Sequence, residues 1–262
     1  MNDTNSFVKS LLDISDSVKM TPKPSFVRIT TITFLTKINT TEILDIEKIR
    51  ELFKNGINIK KEGAKSGFSW TLKDNGFYNQ ATVEYRDKYS KKSVKIFPNC
   101  TIHVTGCYSL DDCNFVIKQL CFIFDKMIGS TGTYCDETRI VMINTNFSVN
   151  SHLDLSKVIS VMKAKGCVVT FNPETYSAVK IKFVPGTGMK QITASIFSSG
   201  KIIITGAINL QEISSSYKFI LDAIESQADV RIKPTETIDV FENFMGYSLN
   251  SDWRNEILNL GK

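Results

Sequence analysis

The sequence predicts an α+β fold made of two quasi-identical repeats that join into one curved antiparallel sheet, with the helices on its convex face. Three observations predict it. The block VKIFPNCTIHVTGCYSLDDCNFVIKQLCFIF (94–124) recurs as ASIFSSGKIIITGAINLQEISSSYKFILDAI (194–224), with Phe97 matching Phe197, Thr105-Gly106 matching Thr205-Gly206 and Leu120 matching Ile220 at a constant spacing of 100 positions. Earlier blocks recur in the same order: Arg28-Ile29 through Ile38-Asn39 with Arg139-Ile140 through Val149-Asn150, and Leu44-Asp45-Ile46 with Leu153-Asp154-Leu155. Within each repeat the apolar pattern changes period in the same sequence, from strand to helix, to strands, to helix.

Each repeat opens with a strand rich in β-branched residues, about 28–38 and 139–149. A helix follows, about 45–55 and 154–165. In the first of these Ile46, Ile49 and Phe53 fall at helical spacing, and Gly56 stands where the helix must stop. Three strands come next, about 80–87, 93–98 and 100–106, then 178–184, 191–198 and 201–206. A longer helix closes each repeat. Ser109 with Asp112, and Asn209 with Glu212, provide the N-cap and the third-position acid of a helix start. Cys113, Ile117, Leu120 and Phe124 form one apolar face, mirrored by Ile213, Tyr217, Ile220 and Ile224. The expected organisation is an N-terminal extension (1–27), repeat 1 (28–128), repeat 2 (129–228) and a C-terminal extension (229–262).

At 262 residues, with 42% hydrophobic and 23% charged residues, the chain can bury a substantial core. No apolar run reaches the roughly 18 residues a membrane helix needs. The start MNDTNSFVKS lacks the basic and apolar regions of a signal peptide, so an intracellular location and no membrane partner are expected. Six cysteines (Cys100, Cys107, Cys113, Cys121, Cys135, Cys167) form no CxxC pair, and only His103 and His152 accompany them. Reduced structural thiols and no metal or cofactor are therefore expected. No nucleophile–base–acid set is visible, and the glycines at 186–188 form a turn rather than a phosphate cradle, so no enzyme is expected. A net charge of +5 permits an anionic partner without demanding one.

Strand alternation sorts the residues by face. Ile196, Ile202 and Ile204 lie on the helix side. Ser195, Phe197, Lys201, Ile203 and Thr205 lie on the open side, with Phe97, Thr101, His103 and Thr105 equivalent in repeat 1. An open face that carries Phe197 and Ile203 calls for a partner. Met142, Asn144 and Asn146 share one parity. If it is the open one, their polar members suit the acceptor-only floor of an A·T minor groove. A dimer interface, or a face covered by a terminal segment, is the alternative.

The string SIFSSGKIIITGA (195–207) resembles the signature block that ends each repeat of the TATA-box-binding protein (TBP) family, and FNPETYSAVKIKF (171–183) resembles the family's stirrup and following strand. KIFPNCTIHVTGC (95–107) is a weaker first copy, and the resemblance covers about residues 28–228. The resemblance implies a TBP-like saddle that sits on promoter DNA, in a widened minor groove at an AT-rich site. The family is the standard example of such a binder, wedging phenylalanines between base steps. It implies DNA contacts from Phe197 and Tyr176 as a wedge pair, from Phe97 as the wedge of repeat 1, and from Arg86, Lys182 and Lys201 to the backbone. Thr105, Thr205, Ile203 and Asn144 would face the groove.

The partner of Phe97 falls on Gln80, with Phe77 and Tyr78 beside it. Glu174, on the second stirrup, resembles the family's contact to transcription factor IIB. The implied partners are thus double-stranded DNA and a factor-IIB-like protein or RNA polymerase. Departures are Met142 at the family's central asparagine, Thr31 and Thr33 in that neighbourhood of repeat 1, Asn99-Cys100-Thr101 for Ser-Gly-Lys, and Ile208 for a basic residue.

Residues 63–76 (GAKSGFSWTLKDNG) read as an insert without a family counterpart. So does the C-terminal extension, with Phe241, Phe244, Tyr247 and Trp253. Residues 1–20 place Phe7, Leu11, Ile14 and Val18 at helical spacing before a TPKPS linker. Such decorated versions resemble those of large DNA viruses, which implies a viral factory or virion, or a nucleus for a cellular protein. The alternative is a protein–protein scaffold that keeps the saddle, has lost DNA binding and recruits a factor-IIB-like protein or polymerase. A third reading is a binder of a lipid or small molecule on the concave face.

Overall fold

A computed structural model describes residues 2–41, 44–59, 67–73 and 77–234, with Glu242, Trp253, Arg254 and Glu256 beyond them. The elements in order are α1 (Asn2–Ser17), β1 (Arg28–Asn39), α2 (Ile46–Lys54), β2 (Ile57–Ile59), β3 (Phe68–Lys73), β4 (Ala81–Arg86), β5 (Lys91–Ile96), β6 (Thr101–Thr105) and α3 (Leu110–Met127). Then come β7 (Tyr134–Cys135), β8 (Arg139–Ser148), β9 (Ser151–Leu153), α4 (Leu155–Ala164), β10 (Val168–Asn172), β11 (Tyr176–Phe183), β12 (Ile192–Phe197), β13 (Lys201–Ala207), α5 (Leu210–Glu225) and, after a short 3₁₀ turn, β14 (Arg231–Pro234). They form two compact units, Thr31–Met142 and Met1–Thr30 with Ile143–Lys262.

The first-repeat unit is an antiparallel sheet in the order β1-β6-β5-β4-β3-β2, with β7 added on β1. Its core lies between that sheet and helices α2 and α3. Ile49, Phe53, Trp70, Tyr85, Ile102, Val104, Ile117, Leu120 and Phe124 are all buried there. The Trp70 ring sits 5.0 Å from Tyr85, edge-on, and 6.0 Å from Phe53. Helix α2 starts where the Asp45 carboxylate accepts the Glu47 N–H, and α3 where Ser109 Oγ accepts the Asp112 N–H. The Ser109 cap was read from the sequence and the Asp45 cap was not; both work because short side-chain acceptors satisfy N–H groups that the helix cannot.

The second-repeat unit repeats the plan. Its sheet runs β8-β13-β12-β11-β10, with a separate β9–β14 ribbon. Asp154 and Asn209 cap α4 and α5. Phe147 meets Tyr217 edge-on at 4.7 Å among the buried Ile196, Ile202, Ile204, Ile213, Ile220 and Ile224.

Helix α1 packs on α5, and its Leu11 and Ile14 are buried, as is Val18 just after it. The linker behind it is pinned by Ser25, whose N–H donates to the Ser148 carbonyl and whose carbonyl accepts from the Tyr217 hydroxyl. No helix among the described residues is long and apolar enough to cross a membrane.

One expectation is corrected. Within the segment read as an insert, Phe68–Lys73 has an internal counterpart: it is strand β3, antiparallel to β4, just as β10 is antiparallel to β11. The matching strand is Val168–Asn172, where Val168 pairs with Lys182 as Thr71 pairs with Glu84, so both repeats carry a strand that the three-strand reading omitted. The physical cause is Trp70, which faces the helices and is completely buried while Thr71 and Lys73 face away. Residues 60–66 and 74–76 lie outside the described residues, as do Phe241, Phe244 and Tyr247 of the C-terminal extension.

The cysteines are free, with Cys107, Cys113, Cys121 and Cys167 buried; burial, reinforced by Cys135 and Asp125, pushes the Cys121 thiol up to about 12.

Candidate nucleic-acid interface

Burial alternates residue by residue on the strands that matter. In β12 and β13, Ala194, Ile196, Ile202 and Ile204 are buried under the helices, whereas Thr193, Ser195, Phe197, Lys201, Ile203 and Thr205 reach the helix-free face. On β8, Asn144 and Asn146 share that open parity; Asn144 Oδ1 has no partner and the Asn144 carbonyl accepts from Thr30 Oγ1 at 3.0 Å.

The open face of the second-repeat unit ends in an aromatic pair. Tyr176, the first residue of β11, meets Phe197, the last of β12, at 5.7 Å in a T-shaped contact. Register places Ala178 directly opposite Phe197, and this small side chain leaves room for the tyrosine ring beside it. Lys180 Nζ lies 4.4 Å from the Tyr176 ring centre, and Lys182 follows two residues on, with the same face exposed. Lys201 starts β13 just beyond Phe197. The face therefore joins a ring pair, with Tyr176 exposed and Phe197 half-buried, to three exposed cations, Lys180, Lys182 and Lys201.

Two turns hold this end. Before Tyr176, Asn172 accepts the Glu174 N–H on its side chain at 3.1 Å, which leaves Glu174 exposed at the tip. Between β12 and β13, Gly200 has φ of +80°, and a Cβ there would come within 2.2 Å of the Ser151 carbonyl oxygen. Only glycine fits. The equivalent in repeat 1 is Cys100, which is held at φ of +63°.

The first-repeat unit has the same frame with other chemistry. Ala81 pairs with Ile96 as Val179 pairs with Ile196, which fixes the equivalences along β4 and β11. By that register Gln80 corresponds to Ala178, Tyr78 to Tyr176, Glu84 to Lys182 and Arg86 to Val184. Phe97 packs on His103 at 5.1 Å. Gln80, opposite it, is buried and donates to Thr82 Oγ1 at 3.0 Å, while Phe77 and Tyr78 stand out on the turn, whose carbonyls Arg50 gathers. Burial and the nearby Lys95 lower the His103 pKa, so the ring adds no charge to this face at neutral pH.

Sequence reasoning missed Glu84. It is the central open-face residue of β4, and its carboxylate accepts from Lys91 at 2.9 Å, Arg86 at 3.0 Å and Lys73 at 3.1 Å. These bonds, Lys91 first, outweigh desolvation and hold its pKa down at about 2. Arg86, expected on a nucleic-acid backbone, is engaged by this acid. Alternation along residues 81–86 places Glu84 on the open side, but the linear sequence does not show the cations of neighbouring strands that meet it. Thr105 lies across from Thr33 and Ser93 on neighbouring strands, on the same open side.

The family-model match falls on the second repeat. Residues 137–227 match the family model described as transcription factor TFIID (or TATA-binding protein, TBP). The chain is 28% identical over 176 residues to a TATA-box-binding protein-like protein of Acanthamoeba polyphaga mimivirus, covering 55% of this chain and 47% of that one. It is 26% identical over 144 residues to the TATA-box-binding protein of Candida albicans, covering 53% and 55%. The chain thus spans about half the length of the curated relatives it matches. Among solved structures, Methanococcus jannaschii TBP aligns with a TM-score of 0.50 at 18% identity, over 77% of this chain and 99% of that one, which is a likeness of fold.

Proposed function

The chain is a divergent member of the TATA-binding-protein family, and from that premise we propose that it is a transcription initiation factor that binds promoter DNA through the minor groove and recruits transcription machinery. The family is non-catalytic, and among the described residues no cluster of three or more His, Cys, Asp or Glu side chains is placed to hold a metal. The finer reading, one curved saddle with both open faces on an AT-rich duplex, is part of this proposal.

The observation that carries it is the open end of the second-repeat face. Tyr176, exposed, and Phe197, half-buried, form a ring pair within a few residues of Lys180, Lys182 and Lys201. Rings that unstack a base step need adjacent cations to hold the distorted backbone, and the pair and the lysines supply both functions at one place. Ile203, Thr205 and Asn144 then line the groove floor, where small and uncharged groups suit A·T edges. Thr105 and Phe97 take the equivalent places from repeat 1. Titrating AT-rich and GC-rich duplexes with the whole chain at two salt concentrations tests this. Salt-dependent binding that is tighter on the AT-rich duplex is expected; absence of duplex binding at low salt rejects it.

A second reading is favoured by Glu174, an exposed acid on a turn that its own Asn172 side chain braces. In that reading the protein is a scaffold without DNA binding, and this stirrup contacts a factor-IIB-like protein or polymerase. Loss of partner capture by Glu174→Arg, with duplex binding absent in wild type, would single it out.

A further inference from the structure

Glu84 is an acid on a face that the DNA reading assigns to a polyanion, and it holds the strand position that Lys182 fills in the other repeat. Its side chain is only 11% exposed, while Lys73, Arg86 and Lys91, drawn from three adjacent strands, remain 51%, 60% and 58% exposed. Three cations that would each neutralise a phosphate are instead tied to one internal carboxylate. We propose that Glu84 restrains the first-repeat face, so that Lys73, Arg86 and Lys91 reach a phosphate backbone only by giving up this carboxylate, and repeat 2 dominates binding.

The inference rests on the DNA reading above and adds a residue that sets which half of the protein engages first. Two effects of the acid compete. By gathering the cations it pre-orders them, and by its charge it repels phosphate and occupies their donors. Exposed ion pairs order long side chains only weakly, so the first effect is small. The second acts on every phosphate within a Debye length, about 8 Å at physiological ionic strength. Charge wins, and the acid weakens generic binding. Such a repulsive element discriminates against partners that offer negative charge without the groove that the wedge pair requires. Nothing in the fold forces an acid here, because the same register position in repeat 2 carries lysine.

The test is duplex titration of the full chain, by fluorescence anisotropy, for wild type, Glu84→Gln and Glu84→Lys. The second variant restores the residue type of repeat 2, so a folded protein is expected, and melting temperature verifies it. Glu84→Gln should tighten binding about threefold to tenfold on AT-rich and GC-rich duplexes alike, because phosphate contacts carry no sequence information. It should also steepen the slope of log affinity against log salt by about 1 or more, at about 0.9 per phosphate neutralised. Glu84→Lys should go further in both. Adding Arg86→Gln should remove more of the slope in the Glu84→Gln background than in wild type. If wild type binds duplex and the variants bind equally or more weakly, the restraint is refuted while the DNA reading stands. If neither wild type nor variants bind at low salt, the DNA reading falls and this inference falls with it.

Discussion

Tyr176 and Phe197 meet edge to face at 5.7 Å on the second-repeat sheet, whereas Phe97, the repeat partner of Phe197, has His103 as its neighbour at 5.1 Å. The difference traces to β4. Gln80 lies opposite Phe97, bonded to Thr82, and the tyrosine equivalent to Tyr176 is Tyr78, which is 85% exposed on the turn.

Phe197→Ala should therefore weaken duplex binding more than Phe97→Ala. Losing an aromatic contact to a base costs about 1–3 kcal/mol, so a loss of about tenfold or more is expected for Phe197. A lesser effect is expected for Phe97, whose ring is committed to His103. Anisotropy titrations of both variants measure this; equal losses would mean that the altered surroundings of Phe97 have no functional weight.

Trp70 tests the place of β3 in the fold. Trp70→Ala should cost about 3–5 kcal/mol of stability, the range for emptying an aromatic site in a core. Trp70→Phe should cost much less, because the Trp70 indole N–H is buried without a partner and phenylalanine deletes it. Chemical denaturation of the two variants distinguishes these outcomes. A negligible loss from Trp70→Ala would return residues 68–73 to the status of a peripheral insert.

How much was legible in the sequence follows from which forces wrote it. The caps at Ser109 and Asn209 and the alternation of 192–197 and 201–205 were read correctly, because local hydrogen bonding and period-2 burial leave direct marks. Strand β3 also alternates, as PheSerTrpThrLeuLys, but its place in the sheet is fixed by its register on β4 and not by any local turn signal. Glu84 was hidden for a related reason. Its meaning comes from Lys73 and Lys91 on neighbouring strands, and no linear spacing announces three side chains converging on one carboxylate. The pairing of Tyr176 with Phe197 was legible by resemblance, and the lysine over Tyr176 was not.

Glu84 also predicts a pH dependence. Its pKa in the fold is held down at about 2, below the ordinary value of 4.5, by its three cationic partners. A depressed acid stabilises the fold above its unfolded pKa, and that contribution disappears as pH falls through the folded one. The melting-temperature gap between wild type and Glu84→Gln should thus be constant from pH 7 to about 5 and shrink between about 4.5 and 2. A gap that is unchanged over that window would show that the three ion pairs contribute no net stability.

The last prediction separates phosphate contact from wedging. Lys201 begins β13 beside the Phe197 turn, exposed, and Lys182 shares the open face of β11. If each neutralises one phosphate, its loss removes about 0.9 from the slope of log affinity against log salt. Lys201→Ala should lower affinity for AT-rich and GC-rich duplexes by the same factor and reduce the slope by about 1. Phe197→Ala carries no charge change, so it should leave the slope nearly intact while reducing DNA bending, read by energy transfer between labels at the duplex ends. The two variants therefore move different observables. Should Lys201→Ala change sequence preference and leave the salt slope alone, Lys201 would be reading bases, and the backbone role assigned to it here would be wrong.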